Sequence, residues 1–149
     1  MAAQFSELST LAKKINSSTD QDNARIREAN EALAKLDIGI EAWHPMHVRP
    51  PLRAMDGKPG ETKKYNCKEF GFAKVEGKWQ LAIRTVTVER TFRVKGKVEE
   101  SVTNERDVRP LHKANRSERY VGAHLLERIT DAIKNAMTEA LEVAETPEA

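Results

Sequence analysis

The sequence predicts an α+β fold: an antiparallel β-sheet of about four to five strands, flanked by an N-terminal long helix (or helical hairpin) and a C-terminal amphipathic helix. Three observations carry this expectation. Apolar residues recur at alternating three- and four-residue steps along the first 37 positions. Runs rich in Val, Thr and aromatic residues, broken by Gly-containing turns, occupy the middle of the chain. A broad apolar stripe at helical spacing then returns near the C-terminus.

In chain order, Phe5, Leu8, Ala12, Ile15, Thr19, Asp22, Ile26, Ala29, Leu33 and Leu36 form a heptad seam. Ser17-Ser18-Thr19-Asp20 offers capping chemistry for a second helix at the point where the seam turns polar. So thin a stripe needs a partner, either the rest of the domain or a second copy of the chain, and its unbroken register favours the second copy. Gly39 is the expected helix stop. Ile38 to Trp43 reads as a short strand. His44 to Lys64, with Pro45, Pro50, Pro51, Pro59, Gly57 and Gly60, reads as a loop of about 20 residues, longer than ordinary connections. That loop carries Arg49, Arg53, Lys58, Lys63 and Lys64.

Glu69 to Val75 and Trp79 to Arg84 flank Glu76-Gly77, a two-residue hairpin turn. In that register Phe72 faces Leu81 and Phe70 faces Ile83. The opposite side shows Gly71, Ala73, Gln80, Ala82 and Arg84, small enough to receive either a closely packed helix or a ligand. Thr85 to Val94 and Lys97 to Asn104, with Gly96 between them, read as a second hairpin. Its apolar residues Val86 and Val88 have the opposite parity to Leu81 and Ile83, which predicts a bulge near Thr85. The last helix places Val121, Leu125, Ile129, Ala132, Ile133, Ala136, Met137, Ala140 and Leu141 on one face, after polar capping residues at Asn115 to Ser117.

The chain has 149 residues and fits one domain, with an expected helical oligomerisation segment at 1–37, a ligand-binding domain at 38–144 and an acidic tail at 145–149. Mean hydropathy is −0.65. No apolar run approaches a membrane span, and the N-terminus lacks the features of a signal peptide, so a soluble cytoplasmic protein with no membrane partner is expected. Cys67 is the only cysteine, which excludes an internal disulfide. The overall charge of +2 conceals a gradient, because residues 43–126 hold 18 basic and 10 acidic side chains while both ends are acidic. A basic centre of this kind points to an anionic ligand.

No metal site, cofactor or catalytic group is expected. His44 and His47 flank Pro45 and lack nearby acidic or thiol ligands. His124 beside Leu125 reads as a partly buried packing residue. No nucleophile-elbow, zincin, phosphate-loop or dinucleotide motif occurs. The chemically informative stretch runs from Arg109 to Arg119. Arg109, Lys113, Arg116 and Arg119 gather where the positive end of a helix dipole disfavours cations, offset only by Glu118. First-turn N–H groups joined by guanidiniums make a phosphate pocket. The alternative is pairing of these cations with Glu99, Glu100, Glu105 or Asp107 across the surface.

The succession Leu33 to Trp43, then Phe70 to Arg84, then Arg116-Ser117-Glu118-Arg119 opening an amphipathic helix, resembles small phage and bacterial proteins. Among these are the anti-Thoeris sponges, which sequester a cyclic ADP-ribose signal without degrading it. The resemblance covers most of positions 33–133. It implies a nucleotide pocket between protomers, with Arg116 and Arg119 on phosphates and Phe72 or Trp79 stacking on a base. Arg109, Asn115 and Arg84 complete the expected ligand contacts. The Val/Thr hairpin at 85–104 and the proline-rich loop depart from the family pattern. A nucleic-acid backbone bound by the basic segment, or an acidic protein docked on the loop, are the alternative partners.

Overall fold

A computed structural model describes residues 2–46, 58–93 and 97–145. Helix α1 spans Ala2–Leu36, and strands β1 (Ala42–Pro45), β2 (Thr62–Val75), β3 (Lys78–Phe92) and β4 (Val98–Pro110) follow. A 3-10 turn at Leu111–Lys113 leads into α2 (Arg116–His124) and α3 (Leu126–Glu145). The four strands form one antiparallel sheet in the order β1-β2-β3-β4. This is the expected α+β architecture, with an N-terminal helix and C-terminal helices flanking the sheet.

Helix α1 is one continuous helix, so no helical hairpin forms. Thr19 does not cap a second helix; its hydroxyl donates to the Ile15 carbonyl at 2.9 Å, which keeps the residue inside the helix. The helix ends at Leu36, ahead of Gly39, because Asp37 already adopts a left-handed conformation at φ 49°. The strand expected at Ile38 to Trp43 forms slightly later, at Ala42–Pro45. Arg49, Arg53 and most of the proline-rich loop lie outside the described residues, as does Gly96. At its far end that loop gives way to β2 from Thr62.

The β2–β3 hairpin has the expected register, with Phe72 opposite Leu81 and Phe70 opposite Ile83. Its turn works because Glu76 and Gly77 both take positive φ, at 52° and 78°, as a two-residue loop that follows the strand twist requires. Phe70, Phe72, Leu81 and Ile83 are fully buried, and with Ile26 of α1, Leu111, Ala114, Ala123, Ile129 and Ile133 they form the main core. The helices therefore cover this one face of the sheet.

The bulge expected near Thr85 is present, but its extra residues lie on β4. Register shifts flank Thr85 in the β3–β4 ladder, and Asn104 and Asp107 absorb them at φ 53° and 55°. Pairing of β3 with β2 continues without a shift. The change of parity is therefore not corrected, and Val86, Val88 and Phe92 are buried on the face opposite to Leu81 and Ile83.

The C-terminal apolar stripe is divided between two helices. Between them Leu125 donates its N–H to both Val121 and Gly122 carbonyls, at 3.0 and 3.2 Å, a shared bond that bends the stripe without ending it. His124 at this junction is exposed, contrary to its expected packing role, and its ring lies 4.2 Å from that of Tyr120. No described helix is long and apolar enough to cross a membrane.

Candidate functional site

Asn115 is the N-cap of α2. Its side chain accepts from the Glu118 N–H at 2.8 Å, and Glu118 Oε1 accepts in return from the Asn115 N–H at 3.2 Å. This capping box satisfies two of the donors that the sequence left open for a phosphate. Asn115 is thus a structural cap, and the first-turn N–H groups beyond the box are those of Arg116 and Ser117.

Glu118 is only 2% exposed and organises the cations around it. Lys68 of β2 donates to its Oε2 at 3.0 Å, and Arg109 at the end of β4 donates to the same oxygen at 3.2 Å. Burial by itself pushes the Glu118 carboxyl up. The Lys68 and Asn115 hydrogen bonds, with the charges of Arg109 and Lys68, outweigh it and hold the group below its ordinary value. Glu118 is therefore an anion at neutral pH, and it takes the place expected of Glu99, Glu100, Glu105 and Asp107 as the partner of Arg109.

Arg116 opens α2, is exposed, and makes no ion pair among the described residues. Arg119 is half-buried and folds back to donate to the Ala114 carbonyl at 3.1 Å, while its buried Nε has no partner. Lys113 pairs with Glu76 at 2.8 Å across the hairpin turn. Lys68 and Arg109 thus share a single carboxylate, while Arg116 and Arg119 in the same first turns of α2 have no carboxylate partner among the described residues, leaving positive charge in excess at the entrance of α2. Tyr120, four residues after Arg116 and on the same helical face, is half exposed.

The remaining expected contacts lie elsewhere. Phe72 is buried in the core and stacks on Trp79 with centroids 5.7 Å apart, so it has no free face for a base. Trp79 also lies against Gly39, where a Cβ would sit 3.9 Å from the indole. Arg84 is on the opposite face of the sheet. Its Nη2 and Nε donate to Glu69 at 2.7 and 2.9 Å, and its Nη1 lies 3.4 Å from Glu105 and 3.6 Å from Glu41. Its guanidinium also stacks over Trp43 at 4.1 Å.

The small-residue face around Arg84 receives an aromatic side chain of the sheet itself rather than a helix. Trp43 of β1 lies on it, and a Cβ at Gly71 would meet the Ala42 carbonyl at 2.0 Å and the Trp43 ring at 2.7 Å. Gly71 is needed for that close approach.

Sequence reasoning missed Lys68 and Tyr120. An Asn-x-x-Glu spacing at Asn115 and Glu118 was a visible capping signal, whereas nothing local joins Lys68 to a carboxylate 50 positions away. Asn23, Arg27, Asn30, Glu31 and His112 line a second, open cleft of about 390 Å³ between α1 and the 3-10 turn. Asn30 is already committed there, accepting the Leu81 N–H at 2.7 Å. Among the described residues, no group of three His, Cys, Asp or Glu side chains is placed to hold a metal ion. Comparison of the chain with protein-family models, curated proteins and solved structures gives no match.

Proposed function

We propose that the chain binds and sequesters a small phosphorylated nucleotide at the entrance of α2, without turning it over. The resemblance to the sponge proteins makes a cyclic ADP-ribose isomer the first ligand to test and phage counter-defence the corresponding role. The carrying observation is Arg116, exposed beside first-turn N–H groups and without an ion pair among the described residues, in a turn whose Glu118 is already shared by Lys68 and Arg109. A phosphate placed there gains from the guanidinium and the helix dipole together. Arg109 and Lys68 are shared with Glu118 and give a phosphate less than Arg116 does. Arg119 reaches a ligand only by leaving the Ala114 carbonyl. Base stacking passes from Phe72 and Trp79 to Tyr120, the exposed ring one turn after Arg116.

Pairing elsewhere in the basic segment favours a small ligand over a nucleic-acid backbone. Lys64 pairs with Glu89, Arg90 with Glu100 and Arg93 with Glu99, so these strand cations are already matched. Self-association belongs to the same proposal, because the first half of α1 keeps its apolar seam exposed.

Titration calorimetry with cyclic ADP-ribose isomers, AMP and inorganic phosphate tests this. Wild type is expected to bind a nucleotide more tightly than phosphate alone, and heat denaturation is expected to release it chemically intact. Absence of nucleotide binding overturns the proposal, and cleavage dependent on the folded chain overturns sequestration.

A further inference from the structure

The seam of α1 has two fates. From Asp22 to Leu33 it is used internally: Asp22 and Ile26 are buried, and Ala29 and Leu33 pack on the core, while Leu36 at the end of the helix is exposed. Upstream, Phe5, Leu8, Leu11 and Ile15 are 64%, 59%, 54% and 47% exposed. This free portion, residues 2–19, is about 27 Å long at 1.5 Å per residue. Helices owe most of their stability to packing of an apolar face, and this portion has the face without the packing.

We infer that two copies of the chain pair through these free portions as antiparallel helices. Phe5 then lies level with Ile15 of the second copy and Leu8 with Ala12, while Leu11 approaches its own counterpart near the dyad. The surface is self-complementary, as a two-fold interface requires. Gln4, Ser9, Asn16 and Ser18 border the seam and are uncharged, so no like charges oppose each other along it.

The charge of the folded bodies selects the direction. Parallel pairing brings the two sheet bodies, each with its basic centre, side by side, whereas the antiparallel arrangement carries them to opposite ends of the helix pair. Opposed helix dipoles favour the same direction.

This inference rests on the self-association proposed above and is independent of nucleotide binding. Light scattering on the full chain is expected to give twice the monomer mass of 16.8 kDa. Leu8→Glu should halve that mass while leaving the sheet body folded, with a thermal midpoint that no longer depends on protein concentration, since Leu8 makes no part of the core. In a Cys67→Ser background, Phe5→Cys with Ile15→Cys should form a disulfide-linked dimer on mild oxidation, and Phe5→Cys alone should not. A wild-type monomer at the highest soluble concentration overturns both self-association and this pairing. A dimeric Leu8→Glu variant overturns the surface. Cross-linking by Phe5→Cys alone, or none by the double variant, overturns the antiparallel register and leaves self-association standing.

Discussion

Two charge clusters on opposite faces of the sheet are near inversions of each other. One surrounds the Arg84 guanidinium with the carboxylates of Glu69, Glu41 and Glu105. The other sets the Glu118 carboxylate between Lys68 and Arg109, with Arg116 and Arg119 on the same helix but not paired to it. In the first, a cation is saturated and further boxed by the Trp43 ring, so no donor remains for an external anion. In the second, one carboxylate is shared between two cations and cannot neutralise both. A count of basic residues treats Arg84 and Arg116 alike; what separates them is the sign of the excess around each.

The largest expected effect breaks the saturated cluster. The Arg84 side chain is 13% exposed and that of Glu69 5%, so removing the guanidinium breaks a buried ion pair. Breaking a buried pair costs about 3–5 kcal/mol. Arg84→Ala is expected near the lower end, because Glu41 and Glu105 stand in water, and it should leave nucleotide affinity unchanged. Urea denaturation and calorimetry on the same preparation check both halves. Loss of affinity in a variant that remains folded would place Arg84 in the ligand site after all.

The second effect falls on binding. Hydrogen bonds to a charged group contribute about 1.5–3 kcal/mol. Arg116→Ala should therefore weaken nucleotide binding by roughly 10–150-fold. Its stability should change by under about 0.5 kcal/mol, as for other exposed positions. Arg119→Ala should do the reverse of what the bare sequence predicts, with a smaller loss of affinity and a measurable loss of stability, because Arg119 caps the Ala114 carbonyl. Equal affinity losses in the two variants would show that Arg119 swings out to the ligand. Tyr120→Ala should then reduce affinity for AMP without altering that for inorganic phosphate, in the same calorimetric series.

Much of the fold was legible because it is local. Glu76-Gly77 with its flanking aromatics specifies a hairpin within 15 residues, and Asn115 specifies the start of α2 from its own turn. The candidate site was legible only at its helical edge. Trp43 reaches Gly71 through a strand pair separated by the whole proline-rich segment, so nothing near Gly71 foretells that its small face is filled. Lys68 reaches Glu118 only once the sheet and α2 are docked. The parity change at Thr85 was visible, but it had two solutions, a bulge that restores the face or a strand that changes faces. Continuous pairing with β2 decides for the second.

The smallest effect sharpens the comparison through pH. Folding lowers the Glu118 pKa, so the folded chain holds the Glu118 proton less tightly than the unfolded one. Stability from this carboxylate is thus fully present above the unfolded value, about 4.3 for a glutamate. It is lost as pH falls through the lower folded value. Glu118→Gln keeps the amide-accepting oxygen of the capping box and removes the charge that holds Lys68 and Arg109. Its cost at neutral pH is expected to be about 1 kcal/mol, because both cations are partly exposed and water screens their pairing. That difference from wild type should shrink towards zero below about pH 4, as protonation makes the wild-type group neutral as well. Thermal melts of the two proteins across that range give the result directly. A gap that persists unchanged into acid would mean that Glu118 acts through its shape and hydrogen bonds rather than its charge, and the inversion between the two clusters would then be geometric instead of electrostatic.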